Sequence, residues 1–247
     1  MLPTFIRCSA VWLGLLLAAP VQAGIVLNTT RVIYQARDKE VSFVVSNSGT
    51  ADILAQSWLE AEKNGAHAQT LPFVITPPLA RMTGNARQII RVIYAGEGLP
   101  DDRESVFWLN VQEIPQTAKD NQLQIAIRQR IKLFYRPAAL SGDPLQAAEK
   151  LEWRVHDGQL EVSNPTPFHV SMIQIAVRQQ GRALYAADSR MLAPQETVQM
   201  PLKSLISGEG AEISFISIND FGAQEPHTAT LADGQTTRAI GITTGRQ

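Results

Sequence analysis

Apolar and polar residues alternate along most of the chain with a period of two. Val41, Phe43 and Val45 fall on one side of an extended backbone, and Ser42 and Ser46 fall on the other, the pattern of a half-buried strand. Comparable runs rich in Val, Ile, Phe, Tyr and Trp occupy residues 25–34, 40–47, 53–60, 87–94, 105–114 and 122–135. Between them lie Asn47-Ser48-Gly49, Asn64-Gly65, Thr76-Pro77-Pro78, Gly84-Asn85 and residues 96–102, all turn chemistry. Strands at such intervals predict an antiparallel sandwich, with Trp58 as its buried tryptophan. After Arg136-Pro137, small residues leading to Asp143-Pro144 read as a linker. A second series then spans 151–156, 159–163, 168–179, 196–201, 212–219 and 228–231. The pattern predicts an all-β protein, either two sandwiches in tandem or one large one.

The first 23 residues break this pattern and form a candidate signal peptide. Arg7 precedes an apolar run from Ala10 to Ala19, and Val21-Gln22-Ala23 is a small-residue cleavage pattern ahead of Gly24. The run is too short to cross a bilayer, so cleavage after Ala23 is expected. Removing the segment takes Cys8, the single cysteine, and leaves no thiol for a disulfide, a nucleophile or a metal. No later run is apolar and long enough for a membrane span after signal cleavage. The 22 Lys and Arg against 23 Asp and Glu give a formal charge of -1, so no positive field draws the chain to nucleic acid.

Chemical motifs are sparse. His67, His156, His169 and His227 have no zinc-site spacing, and each is expected at a surface or an edge. Neither a G-x-S-x-G elbow nor a P-loop nor a dinucleotide-binding glycine pattern occurs. The sequence therefore points to no enzyme, no cofactor and no metal. The most distinctive segment closes the first strand series. Leu123, Ile125 and Ile127 share one face of an extended chain, while Arg128, Arg130, Lys132 and Arg136 lie on the other, a solvated face on pattern alone.

Several of these motifs together are family-specific. Asp102-Arg103-Glu104-Ser105 with Phe107, then Asn110 to Pro115, and above all Ile131-Lys132-Leu133-Phe134-Tyr135-Arg136-Pro137-Ala138 resemble the periplasmic pilus (fimbrial) chaperones of the PapD type. Weaker matches are Thr30 to Tyr34, Thr76-Pro77-Pro78, Asn164-Pro165-Thr166-Pro167 and Ile218-Asn219-Asp220 with Gly222. The resemblance implies two tandem immunoglobulin-like β-sandwich domains with a cleft between them, here expected over residues 24–140 and 141–247. It implies that Arg31 and Lys132 anchor the C-terminal carboxylate of a pilin subunit. Leu123, Ile125 and Ile127 would belong to a strand lent to that subunit, and Glu104, Arg136 and Asp220 to an interdomain ionic cluster. The short stretch from Pro115 to Gln122 looks like the short-loop subfamily. Implied partners are pilin subunits and an outer-membrane usher, in the periplasm of a Gram-negative bacterium.

One difficulty follows from parity. Ile127 and Lys132 are five residues apart and point to opposite faces of a regular strand, yet both are expected to meet the same subunit. Either a bulge between Arg128 and Ile131 resets the alternation, or twist toward the cleft exposes both faces. Two other classes share the strands and the leader. A secreted adhesin subunit needs no paired Arg31 and Lys132, and a carbohydrate-active sandwich needs an acid pair or an aromatic platform.

Overall fold

The computed structural model describes residues 24–61, 71–116, 124–203 and 210–242. Residues 1–23, the Asn64-Gly65 turn, His67, Leu123 and most of the Pro115–Gln122 loop lie outside the described residues. The first half of the chain forms β1 (Ile25–Leu27), β2 (Arg31–Gln35), β3 (Val41–Asn47), β4 (Ile53–Ala61), β5 (Phe73–Thr76), β6 (Leu79–Met82), β7 (Arg87–Tyr94), β8 (Ser105–Pro115) and β9 (Arg128–Arg136). They build two facing sheets, ordered β1-β3-β7-β5 and β2-β9-β8-β4-β6. The second half forms β10 (Glu152–His156), β11 (Gln159–Ser163), β12 (Val170–Gln179), β13 (Arg182–Leu192), β14 (Thr197–Pro201), β15 (Ala211–Ile218), β16 (Gln224–Leu231), β17 (Thr236–Arg238) and β18 (Ile240–Gly241). Its sheets are ordered β14-β11-β10-β17 and β13-β12-β15-β16-β18. The fold is two tandem immunoglobulin-like β domains, each with its own core.

The alternation read from sequence accounts for both cores. Phe43 and Val45 point inward with Val32, Tyr34, Ile90, Val92, Leu109, Val111 and Leu133. Trp153, Leu160, Val162, Met172, Ile213 and Phe215 fill the second core. Full burial of each such aliphatic or aromatic side chain contributes ~1.5–3 kcal/mol. The predicted strand over residues 25–34 is in fact two strands. β1 pairs with β3 in one sheet, and β2 pairs in parallel with β9 in the other. The chain changes sheets at Asn28-Thr29-Thr30, where the Thr29 hydroxyl bonds the backbone of Arg31 and bends the path. Four strands that the alternation did not announce, β5, β6, β17 and β18, have two to four residues each. A fifth, β13, carries Ala, Asp, Ser and Arg where a strand usually shows branched side chains. It holds its place through backbone pairing along β12 at the sheet edge.

Two expectations need correction. Trp58 is not a core tryptophan: Ile53, Ala55 and Ser57 are the buried residues of β4, so even-numbered Trp58 faces outward. The buried tryptophan is Trp153, packed on Phe215 with ring centroids 5.3 Å apart. Just past the linker, single 3-10 turns at Pro144–Gln146 and Ala148–Lys150 tuck Ala147 and Ala148 into the second core. Finally, His169 and His227 are interior rather than peripheral.

His227 lies stacked on Phe215 and within 2.9 Å of Ser217 Oγ. Burial pushes its imidazole below the ordinary histidine range. The folded state therefore binds this proton less readily than the unfolded chain. The contribution is fully present above the unfolded value of ~6.5 and is lost as pH falls below it toward the depressed folded value. Stability of the wild type should thus fall as pH drops below ~6.5, and His227→Phe should flatten that slope in urea titrations run across the range.

Candidate functional site

The two domains meet along the outer face of the β2-β9-β8-β4-β6 sheet. Parallel pairing of β2 with β9 puts Arg31 directly beside Lys132, and Ile33 beside Phe134. Directly opposed residues share a face. Val32 and Leu133 turn inward to the core, so Arg31 and Lys132 turn together toward the second domain. Arg31 Nη1 donates to the carbonyl of Ile218 at 2.7 Å, and Lys132 Nζ donates to Ser171 Oγ at 3.1 Å. Each of the two cations thus spans the cleft. The Arg31 guanidinium lies 6.0 Å from the centroid of Phe134. Its Nε is buried and has no hydrogen-bond partner among the described residues. Burial draws the Arg31 proton affinity down, with Asp220 and Glu104 partly compensating.

Behind these cations lies a buried ionic group. Arg136 Nη2 donates to Glu104 Oε1 at 2.8 Å, and Arg136 Nη1 donates to Asp220 Oδ2 at 2.7 Å. Glu104 is 3% exposed and Arg136 8%. Burial would lower the Arg136 proton affinity, but Asp220 and Glu104 more than offset it and the net shift is upward. The reading of Arg136 as part of a solvated face therefore fails. Sequence reasoning also missed the fourth member, His169, whose backbone N–H donates to Glu104 Oε2 at 2.8 Å and whose Nδ1 lies 2.9 Å from the same oxygen. Its neighbours Pro165 and Pro167 were the available signal, since the Pro167 carbonyl accepts from the Glu104 N–H at 2.9 Å. On the far side, Gly222 at φ +80° approaches Thr30 so closely that a Cβ would sit 2.6 Å from Thr30 Oγ1. A glycine is required there by both the backbone angle and the close approach of the two domains.

The remaining cations of β9 are interleaved with aromatic rings. Trp108 pairs with Lys132, and Asn110 with Arg130, across the β8–β9 ladder. Arg130 stacks 4.1 Å from the Trp108 centroid, and Arg128 stacks 4.9 Å from that of Trp58. Glu60 receives Arg128 at 2.8 Å and Arg130 at 3.5 Å. The Trp58 indole N–H, with help from those two arginines, holds the Glu60 carboxyl below its ordinary range. Such stacking orders long cationic side chains along a face that would otherwise be loosely solvated.

Ile125 and Ile127 are placed differently from Arg31 and Lys132. Ile125 and Ile127 precede β9, and they are 70% and 39% exposed. Pairing from Ser105↔Tyr135 to Gln112↔Arg128 is uninterrupted, so the bulge considered above does not exist. Ile125 and Ile127 therefore keep the parity of the core residue Leu133, yet they lie exposed in the segment ahead of β9. The edge of β9 is open there as well. Among the described residues, β2 flanks only Lys132–Arg136, leaving Arg128–Ile131 with β8 on one side and no strand on the other. One edge thus offers unpaired backbone and exposed apolar residues, the hazard of an exposed strand and the basis of strand addition.

Comparison with known proteins agrees with this architecture. Residues 24–141 match the family described as pili and flagellar-assembly chaperone, PapD N-terminal domain, and residues 146–229 match its pili assembly chaperone C-terminal domain. The chaperone protein FimB/FhaD of Bordetella pertussis is 42% identical over 88% of this chain and 92% of that protein. The crystal structure of the YadV chaperone superposes with a TM-score of 0.72 at 38% identity, covering 85% of this chain and all of that one. A Salmonella enterica structure of the SafA pilin in complex with the SafB chaperone gives a TM-score of 0.69 at 28% identity, covering 87% of this chain and 99% of the matched one. With both domains matched in order and a relative this similar over nearly its whole length, the chain belongs to the PapD family of pilus-assembly chaperones.

Proposed function

We propose that the protein is a periplasmic chaperone of a Gram-negative bacterium that captures pilin subunits and delivers them to an outer-membrane usher. The observation that carries this reading is the side-by-side placement of Arg31 and Lys132 on one cleft face. A chain-terminal carboxylate is the ligand such a pair of cations fits. Arg offers it a planar fork and Lys a compact charge, so the subunit's terminus is fixed in register. From that fixed point the subunit's last strand runs back along the open edge of β9, and at ~3.3 Å per residue Ile127 lies about 17 Å from Lys132. Leu123, Ile125 and Ile127 then enter the subunit's incomplete core, while Arg31 and Lys132 hold its end from the other face. Meeting β9 edge-on lets the subunit reach both. Glu104, Arg136 and Asp220 set the angle between the domains and keep the anchor pair in place. The protein works by binding and release, and no chemical step is assigned to it.

The test separates the lent residues from the core residues of the same parity. Ile125→Glu should leave the unfolding midpoint of the free protein unchanged and abolish recovery of a co-expressed pilin. Leu133→Ala, at a site with 0% exposure, should cost the free protein ~2–5 kcal/mol in urea unfolding. If Ile125→Glu instead unfolds the free protein, the donor-strand assignment is wrong.

A further inference from the structure

Glu113 lies on the inward-facing side of β8, in line with Phe107, Leu109 and Val111, and is only 9% exposed. A carboxylate in that position ordinarily has a cation beside it. Among the described residues no Lys, Arg or His forms a salt bridge with it. The backbone N–H of Ile25 donates to Oε2 at 3.3 Å. The carboxylate also packs against the Cα of Gly24, where a Cβ would overlap Oε2. That Cα is one covalent bond from the Gly24 nitrogen. Gly24 itself is held firmly: its carbonyl accepts from the Ser48 N–H at 3.1 Å and the Ser48 hydroxyl at 2.6 Å. The next carbonyl, that of Ile25, accepts from Gln129 Nε2 at 2.6 Å.

The sequence puts signal cleavage between Ala23 and Gly24. Before cleavage the Gly24 nitrogen is a neutral amide, and afterwards it is an α-ammonium. We propose that Glu113 is a built site for the chain's own new N-terminus, and that cleavage supplies the cation which completes the first domain. Glycine is suited to the position because a side chain would push the carboxylate out of place. The pair ties β1 to β8 beside the entrance of β9, where the Glu113 N–H donates to the Ile127 carbonyl at 2.9 Å. The uncleaved precursor carries the buried carboxylate without its partner and is correspondingly less stable, a property that suits a chain still to be exported.

The test uses exported, cleaved protein whose N-terminus is read by mass spectrometry. The α-amine of Gly24 is titrated through its 13C-labelled Cα shift. It should bind its proton at least tenfold more tightly than an ordinary α-amine, which titrates near ~8, and Glu113→Gln should return it to that value. Because the folded affinity is raised, this stabilisation is complete below ~8 and is lost as pH rises through the higher folded value. Inserting Ser-Ala-Ala after Ala23 moves the ammonium away and should raise the unfolding equilibrium constant roughly a hundredfold, the effect of leaving a buried carboxylate unpaired. Combined with Glu113→Gln, the insertion should cost little more than either change alone. An amine that titrates at its ordinary value in the wild type overturns the proposal. So does strict additivity of the two changes, or a mature N-terminus at any residue other than Gly24.

Discussion

Arg31→Ala and Lys132→Ala should each abolish capture of a pilin subunit while leaving the chaperone folded. Both side chains hydrogen-bond across the cleft, Arg31 to the Ile218 carbonyl and Lys132 to the Ser171 hydroxyl. Losing one such bond costs the free protein about 1 kcal/mol, or roughly 2–4 °C in Tm for a chain of this size. Capture loses far more. Removing one member of a desolvated carboxylate clamp costs ~2–5 kcal/mol, a weakening of about thirtyfold to several thousandfold. Titration of a purified subunit against each variant, alongside thermal melts, separates the two effects. Undiminished affinity in both single variants would eliminate the anchor role.

Arg136→Ala should be the most damaging single change to the folded protein. It strips the buried Glu104 carboxylate of two donors and leaves only the contacts from His169. Breaking a buried pair by deleting one partner costs ~3–5 kcal/mol, a large share of the ~5–15 kcal/mol that holds a typical domain. Asp220→Asn is the contrasting case. Its side chain is 25% exposed, so water offsets much of the lost attraction, and the cost should stay near 1 kcal/mol. Urea midpoints measure the stability difference, and solution scattering measures the angle between the domains. A wild-type midpoint and scattering profile for Arg136→Ala would remove the cluster from any structural role.

The β9 residues separate what is local in the sequence from what is not. Alternation is a property of neighbouring residues, so it made most of the core strands legible. The charge pattern on the opposite side was legible too, but its meaning was not. Arg128, Arg130, Lys132 and Arg136 share one parity, yet they have three different environments: stacked on tryptophans, bridging the cleft, and buried between carboxylates. Position along the strand, relative to a second domain docking from one end, separates them, and no local pattern encodes that.

From the chain alone come the all-β class, the two strand series, the leader and, through its motifs, the family with its named cleft residues. These follow from side-chain chemistry acting within a few residues. Long-range contact decided the rest. Parallel pairing of β2 with β9 brought Arg31 beside Lys132 across a hundred residues of chain. Docking of the domains made His169 an interior partner of Glu104, and the segment ahead of β9 leaves Ile125 exposed at the parity of a core residue. The sandwich architecture, not parity, misassigned Trp58, because an aromatic residue serves equally well in a core or beneath a stacked guanidinium. Burial depends on which surface packs over a strand, and for this protein those surfaces come from distant parts of the chain.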